Sequence, residues 1–437
     1  MNLRRFSLLI GTLMAAGLPA GSGPLPKADA QFAAPDMAQV RLGQLLFYDP
    51  ILSGNRTVSC ATCHHPRFAT SDGVSLGLGD GGTGLGPERR SDPHNPPEQR
   101  IPRNAPALFN LGASQFRTLF HDGRLEVDDA DPMGFRTPLG ADMEQGFEGV
   151  LSAQTMFPVL SPDEMAGHYS ENDVAQAVRQ GFYTGPNGAW AILSARVATI
   201  PEYQRGFAAL DGTQIPLHFS DISNAIAAFM AFEWRADDSP FDRYLRDETP
   251  LPAQAAKGLE LFYGAAGCGT CHSGQFQTDQ NFHAIGLPQI GPGKAARFER
   301  HKRDEGRMRV TGAPQDAYRF RTPSLRNVAH TAPYGHNGAY GDLRAMVRHH
   351  LTPETALRGY TPDQAMLPAL DGAEDFSNLY DDAETDRIAA AIELPPVSLT
   401  EPELDAILAF LNSLSDPVSL KGRLGVPEQV PSGLPVE

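Results

Sequence analysis

At 437 residues the chain has room for two or three domains with sizeable cores. Its 41% hydrophobic and 20% charged content is that of a globular chain, while 43 glycines and 37 prolines predict long loops. A formal net charge of −16 disfavours nucleic acid and anionic membrane as partners and suits a basic protein steered in by charge.

Residues 1–30 read as a cleavable secretory signal. Arg4 and Arg5 precede an apolar stretch from Phe6 to Ala20, and Ala28-Asp29-Ala30 offers a small-residue cleavage site. The stretch is too short, and too broken by Gly and Pro, for a membrane span; an uncleaved anchor is the other reading. Cleavage would remove three basic residues and one acid, taking the net charge to about −18. The predicted location is the periplasm.

From Asp36 to Tyr48 the pattern is helical, with Asp36 as cap and Val40, Leu42, Leu45, Leu46 and Phe47 as the apolar stripe. It leads to Cys60-Ala61-Thr62-Cys63-His64. Two thiols at this spacing can reach the two vinyl groups of one porphyrin, and the adjoining imidazole can bond its iron from one face. The pattern recurs at Cys268-Gly269-Thr270-Cys271-His272, and the two motifs use all four cysteines. Two covalent c-type haems are the reading; disulfides or zinc are the alternative. Lys257-Gly258-Leu259-Glu260-Leu261-Phe262-Tyr263 leads into the second motif as Leu42–Tyr48 leads into the first, which is an internal repeat. The predicted fold is mainly α, with two cytochrome c-like haem domains and long irregular loops. Their bounds are 31–249 and 250–437.

After the first motif, 65–103 reads as a long loop containing the run Gly77 to Gly84. That run lacks the Lys-Ser/Thr of a phosphate cradle and reads as flexible. His65 and His94 lie in this loop and read as exposed. Ser170 or Glu171 is expected to start a helix carrying Val174, Ala177 and Val178, and Ser220 to cap another carrying Ile222, Ile226, Phe229 and Met230. Pro250-Leu251-Pro252 marks a boundary. The basic loop with Lys302, Arg303, Arg307 and Arg309 reads as a solvated face. Thr400 and Glu403 form a capping box before the stripe Leu404, Ile407, Leu408 and Leu411, and an irregular tail follows Pro417.

Four further motifs stand in order around the two haem motifs: Pro102-Arg103-Asn104-Ala105-Pro106, Phe120-His121-Asp122-Gly123-Arg124, Pro162-Asp163-Glu164-Met165, and Phe320 to Val328. Together they resemble the bacterial di-haem cytochrome c peroxidases, a family that includes MauG-like enzymes oxidising residues of a partner protein. The resemblance runs from about Asp36 to about Leu414. It implies that peroxide reacts at the N-terminal haem, held by His64, and that the C-terminal haem, held by His272, takes in electrons. It places Gln154, Pro158 and Glu164 on the distal side of the peroxide pocket. A carboxylate near an open iron can take a proton from the inner oxygen and return one to the leaving oxygen, and burial would raise its pKa towards working pH. Gln can orient peroxide, and Pro offers no ligand. The resemblance also implies one calcium held by Asn104, Thr331 and Pro333, and oxygen ligands suit that hard cation.

Three positions depart from the family pattern. Residues 126–150 are inserted, with seven acids between Glu126 and Glu148; the segment is expected to lid the pocket, shape a partner surface, or remain a solvated loop. His121 stands where many relatives have an inter-haem Trp. His350 stands where peroxidases place a Met ligand and MauG-like enzymes a Tyr; imidazole there lowers the haem potential relative to Met. Met346, one turn earlier, is the fallback ligand, and His349 should face elsewhere.

The expected activity is reduction of hydrogen peroxide with electrons from a small redox protein, a cytochrome c or a cupredoxin. The first alternative is peroxide-dependent oxidation of residues in a partner protein; the second is a non-enzymatic di-haem electron carrier. The family implies a possible homodimer.

Overall fold

The computed structural model describes residues 25–28, 30–210, 216–295, 299 and 301–437, so the predicted signal segment lies almost wholly outside the described residues. Seven helices frame the two halves of the chain: α1 (Met37–Tyr48), α2 (Val150–Thr155), α3 (Ala189–Ala198), α4 (Phe219–Glu233), α5 (Ala253–Tyr263), α6 (Leu343–Leu351) and α7 (Glu401–Asn412). Strand is confined to short pieces. No helix among the described residues is long and apolar enough to cross a membrane.

One packing solution is used twice. α1 crosses α4 and α5 crosses α7, each pair meeting at a glycine. A Cβ on Gly43 would lie 1.8 Å from the Ala225 carbonyl oxygen, and one on Gly258 would lie 1.8 Å from that of Ala406. Only a residue without a side chain lets the backbones approach so closely. The aromatic pair ending each leading helix then packs on a Phe of the crossing helix. Phe47 and Phe229 have ring centroids 5.4 Å apart; Phe262 and Phe410 have theirs 5.0 Å apart. The repeat legible in Leu42–Tyr48 and Lys257–Tyr263 is thus a repeat of tertiary packing. It builds two buried apolar clusters, one around Phe47, Trp190, Phe229 and Trp234 and one around Phe241, Phe262 and Phe410.

Caps explain most helix starts. Asp36 accepts the Ala38 amide at 2.9 Å, Asp342 accepts that of Ala345 at 2.8 Å, and Glu403 accepts that of Thr400 at 2.8 Å. Two predicted starts move. Glu171 is turned towards the His168 amide, so Asn172 caps the helix Asp173–Arg179 instead. His218 replaces Ser220 as the cap of α4, with Asp221 accepting the His218 amide at 3.0 Å.

Four loop readings are corrected. The glycine run is not a flexible loop: residues 71–80 are buried, and the Asp80 amide donates to the Asp163 carbonyl at 3.1 Å. A Cβ on Gly79 would meet that same oxygen at 2.1 Å, so glycine is there for close approach. The 126–150 insertion is not a solvated loop. Its first part completes an antiparallel sheet of β1 (Thr118–Leu119), β2 (Leu125–Val127) and β3 (Phe135–Arg136). Met143 then enters the first core, and the Glu148 amide donates to Asn224 of α4. The basic loop is a solvated face only at the exposed pair of Lys302 with Glu374; Arg303 pairs with the buried Glu384, and Arg307 with Glu126 and Arg309 with Glu299 are largely shielded. The tail is ordered as well. After the short helix Pro417–Lys421 it runs back over the first half, where Ser432 donates to Asp49 at 2.7 Å and Thr62 to Glu437 at 2.6 Å.

The halves are also tied by a buried ionic cluster. Arg103 makes a bidentate pair with Asp304 at 2.7 and 2.8 Å and reaches Asp122 at 2.7 Å. The Arg103 charge holds both carboxyls well below the usual carboxylate range.

Candidate functional site

Each CxxCH motif sits on a short helical turn, Cys60–Cys63 and Cys268–Thr270. Burial pushes the thiols of Cys60 and Cys268 up to about 12, which disfavours a free thiolate as metal ligand or redox nucleophile. Among the described residues one cluster of possible metal ligands contains a motif sulfur, Cys271 with Asp279 and His283. A structural zinc site needs four ligands, so the zinc reading finds no support there.

Both histidines are held alike. His64 Nδ1 donates to the Thr70 carbonyl at 3.0 Å, and His272 Nδ1 donates to that of Gln277 at 3.0 Å. A carbonyl only accepts, so the proton sits on Nδ1 and the Nε2 lone pair is left for a metal. His350 Nδ1 donates to the Met346 carbonyl at 2.9 Å, which leaves its Nε2 free in the same way. The His272 and His350 ring centroids are 6.3 Å apart. Two imidazole–metal bonds of about 2 Å each, plus the ring radii, span roughly that distance. These residues therefore fit haem iron, with imidazole on both sides at the second motif. His349 faces away, as expected, and is fully buried.

Gln154 ends α2, Pro158 opens the 3₁₀ turn Pro158–Leu160, and Glu164 lies in the π-helical turn Pro162–Ala166. The two turns pack on each other, and the Ser161 carbonyl accepts the amides of Glu164, Met165 and Ala166. Trp190 of α3 fixes the approach to Pro158 by donating to the Met156 carbonyl at 2.8 Å. Burial raises the Glu164 pKa; Lys294 and Arg124 pull it back and Asp163 pushes it up. The Glu164 charge is felt at Cys63, which ties this carboxyl to the first motif. Gln154 Oε1 is buried without a protein partner, so it has an acceptor to spare for a bound molecule.

His121 is buried. Its Nε2 donates to the Asn104 carbonyl at 3.0 Å, while its own carbonyl accepts the Arg321 amide at 2.8 Å, so it is bonded to both halves. Burial, with Arg103 and Arg321 nearby, pushes its pKa down to about 4 and keeps the ring neutral. The preceding Phe120 contacts Phe157 edge-on at 6.1 Å, which joins this motif to the pocket segment. Asn104 also donates its amide to His336 at 2.9 Å, which brings it to the turn that follows Thr331 and Pro333.

Several neighbours carried no sequence signal because they come from distant loops. Lys294 stands among Arg124, Asp122 and Glu164, and burial pushes its pKa down to about 8. Arg89 is buried and donates to the carbonyls of Leu78, Gly79 and Gly84, clamping the loop against which Asp163 rests.

A model of the di-haem cytochrome c peroxidase family matches residues 37–250. The chain is 30% identical over 335 residues to the methylamine utilization protein MauG of Methylorubrum extorquens, covering 76% of this chain and 72% of that one. It is 31% identical over 313 residues to the cytochrome c551 peroxidase of Pseudomonas aeruginosa, covering 71% and 70%. Among solved structures, a MauG-like protein associated with microbial copper homeostasis aligns with a TM-score of 0.57 at 26% identity, over 93% of this chain and 97% of that one.

Proposed function

The chain belongs to the di-haem cytochrome c peroxidase family, and we propose that it reduces hydrogen peroxide at a haem carried by Cys60, Cys63 and His64, with Glu164 as proton carrier. A second haem on Cys268, Cys271, His272 and His350 would pass electrons inward. The two would occupy haem domains of about 31–249 and 250–437. When bound, the haem would supply the redox-active iron for peroxide reduction. Everything else falls to the chain. Gln154 would orient peroxide through its spare carbonyl, and Pro158 would keep the distal face free of a protein ligand. Glu164 would accept the proton of the inner oxygen and deliver it to the outer one as water leaves. His64, locked by Thr70, would fix the proximal side.

The observation that carries this reading is Gln154 Oε1, buried without a protein partner beside the two packed turns that hold Pro158 and Glu164. A pure electron carrier has no use for such a group. The test is an EPR spectrum of the oxidised protein before and after one equivalent of peroxide, with and without a reduced cytochrome or cupredoxin. Loss of a high-spin signal followed by turnover of the donor supports peroxide reduction. Two centres that stay six-coordinate and inert to peroxide refute it.

His350 favours a second reading, peroxide-dependent oxidation of a protein partner. Imidazole in place of a thioether lowers the potential of the second haem and makes it a poorer acceptor from ordinary cytochromes. In the same EPR experiment a long-lived oxidised state indifferent to the donor would select this reading. We further infer one calcium at Asn104, Thr331 and Pro333, since Asn104 is buried and spends its side-chain amide nitrogen on the Val74 carbonyl at 2.9 Å, which leaves ligation to its oxygen. Export to the periplasm rests on residues 1–30 and on the chemistry of haem attachment.

A further inference from the structure

A row of rings leads away from the second haem site. His350 of α6 faces His272, and the next ring outward is His349, with centroids 6.2 Å apart at 87°. Tyr340 follows at 5.3 Å, then Tyr360 at 5.5 Å from Tyr340. His349 and Tyr340 are both buried, at 0% and 3% exposure.

The hydrogen bonds give this row a direction. His349 Nε2 lies 2.8 Å from the Ile285 carbonyl, which can only accept, so Nε2 carries the ring proton. Nδ1 is then an acceptor, and it takes the hydroxyl proton of Tyr340 at 2.9 Å. A phenol bonded to an imidazole nitrogen can lose an electron and a proton together without leaving a charge on its own ring. Tyr360 lacks this arrangement, because its hydroxyl donates to the Ala339 carbonyl at 2.7 Å and a carbonyl cannot take the proton. Tyr203 and Tyr318 donate to carboxylates but stand outside the row that begins at His272. Beyond Tyr340 a pocket of about 270 Å³ opens, lined also by Asp342, Asp363, Gln364 and Met366, and Met366 is 39% exposed.

We propose that Tyr340 is a redox-active relay between the second haem and the surface, with His349 as the acceptor of its phenolic proton. The proposal rests on the peroxidase reading and on His350 as ligand. Peroxide is the oxidant, and its conversion to two waters takes two electrons and two protons. Tyr340 supplies one of those electrons. Its O–H bond breaks, the proton moves to His349 Nδ1, and a neutral tyrosyl radical remains. A reduced small redox protein, the donor of the peroxidase reading, then reduces the radical at the pocket and the proton returns to the phenolic oxygen; a second pass supplies the second electron, and solvent supplies the two protons taken up into water.

The experiment uses the full haem-loaded protein made with ring-deuterated and with ordinary tyrosine, frozen after one equivalent of peroxide. A narrow organic-radical EPR signal is expected whose hyperfine pattern changes on deuteration. It should persist in Tyr360→Phe and vanish in Tyr340→Phe, with haem spectra before peroxide unchanged. A nitroso spin trap should leave its adduct on Tyr340 in peptide mass spectra. If peroxide alters the haem spectrum but the radical survives in Tyr340→Phe, or the adduct maps elsewhere, the relay is wrong and the peroxidase reading stands. If peroxide leaves the haem spectrum of the unaltered protein unchanged, both fall.

Discussion

Replacing Glu164 by Gln keeps the shape of the pocket and removes the proposed proton carrier. Peroxide turnover should fall about 10²- to 10⁴-fold in Glu164→Gln, measured as donor oxidation at saturating peroxide. His121→Trp puts an indole where a neutral imidazole bridges the two halves. It should leave peroxide binding intact and change inter-haem electron transfer, read by transient absorption; an unchanged rate removes the bridging role from His121. Asp72 supplies a pH test. Burial, barely offset by nearby amides and Arg89, raises its carboxyl from 3.8 to about 7. A raised carboxyl favours folding fully below its unfolded pKa, and that contribution is lost as pH rises through the folded one. Denaturant titrations from pH 4 to 7 should therefore show a declining contribution, and Asp72→Asn should flatten that decline.

Gly43 and Gly258 occupy equivalent crossings, and a methyl group at either would overlap backbone that cannot move aside. Gly43→Ala and Gly258→Ala should each destabilise by about 1–3 kcal/mol or more, measured by thermal or chemical unfolding of the haem-loaded protein. These crossings were legible in the chain as a glycine one residue into each repeated helix segment followed by an aromatic pair. So were α1 and α7, where a cap and an apolar stripe agree. The elements that escaped are those specified by distant partners. The insertion that begins at Glu126 carries seven acids, and its acidity hid Met143, Leu139 and Phe147, which fasten it to the first core. The glycine run gave a composition signal for mobility, yet Gly79 serves close approach to Asp163. The candidate site divides the same way. Cys60, Cys63, His64 and Glu164 stand in local motifs, whereas Lys294 and Arg89 reach the pocket from loops with no motif. The Tyr340–His349 pair spans nine positions of ordinary sequence and becomes a unit only through Ile285.

At the scale of the molecule the two halves are not separable bodies. Arg103 sits at their junction with two carboxylates, buried and fully paired. A buried ion pair adds little net stability over apolar packing, but stripping one partner strands the other. Asp304→Ala should cost about 3–5 kcal/mol in unfolding free energy, far more than removal of an exposed acid such as Glu248. Apolar side chains cross the junction too: Leu76, from the loop after the first motif, belongs to the second core. A relay that moves electrons between halves needs this fixed geometry, since transfer rates depend steeply on separation.

The returning tail bears on how the protein matures. Thr62 stands between the two attachment cysteines of the first motif, and its hydroxyl is held by a residue 375 positions downstream. During vectorial synthesis that clasp cannot exist while the motif first emerges. The hydroxyl between the two cysteines therefore gains this partner only after residue 437 has been delivered, so the clasp is a late contact laid over an early motif.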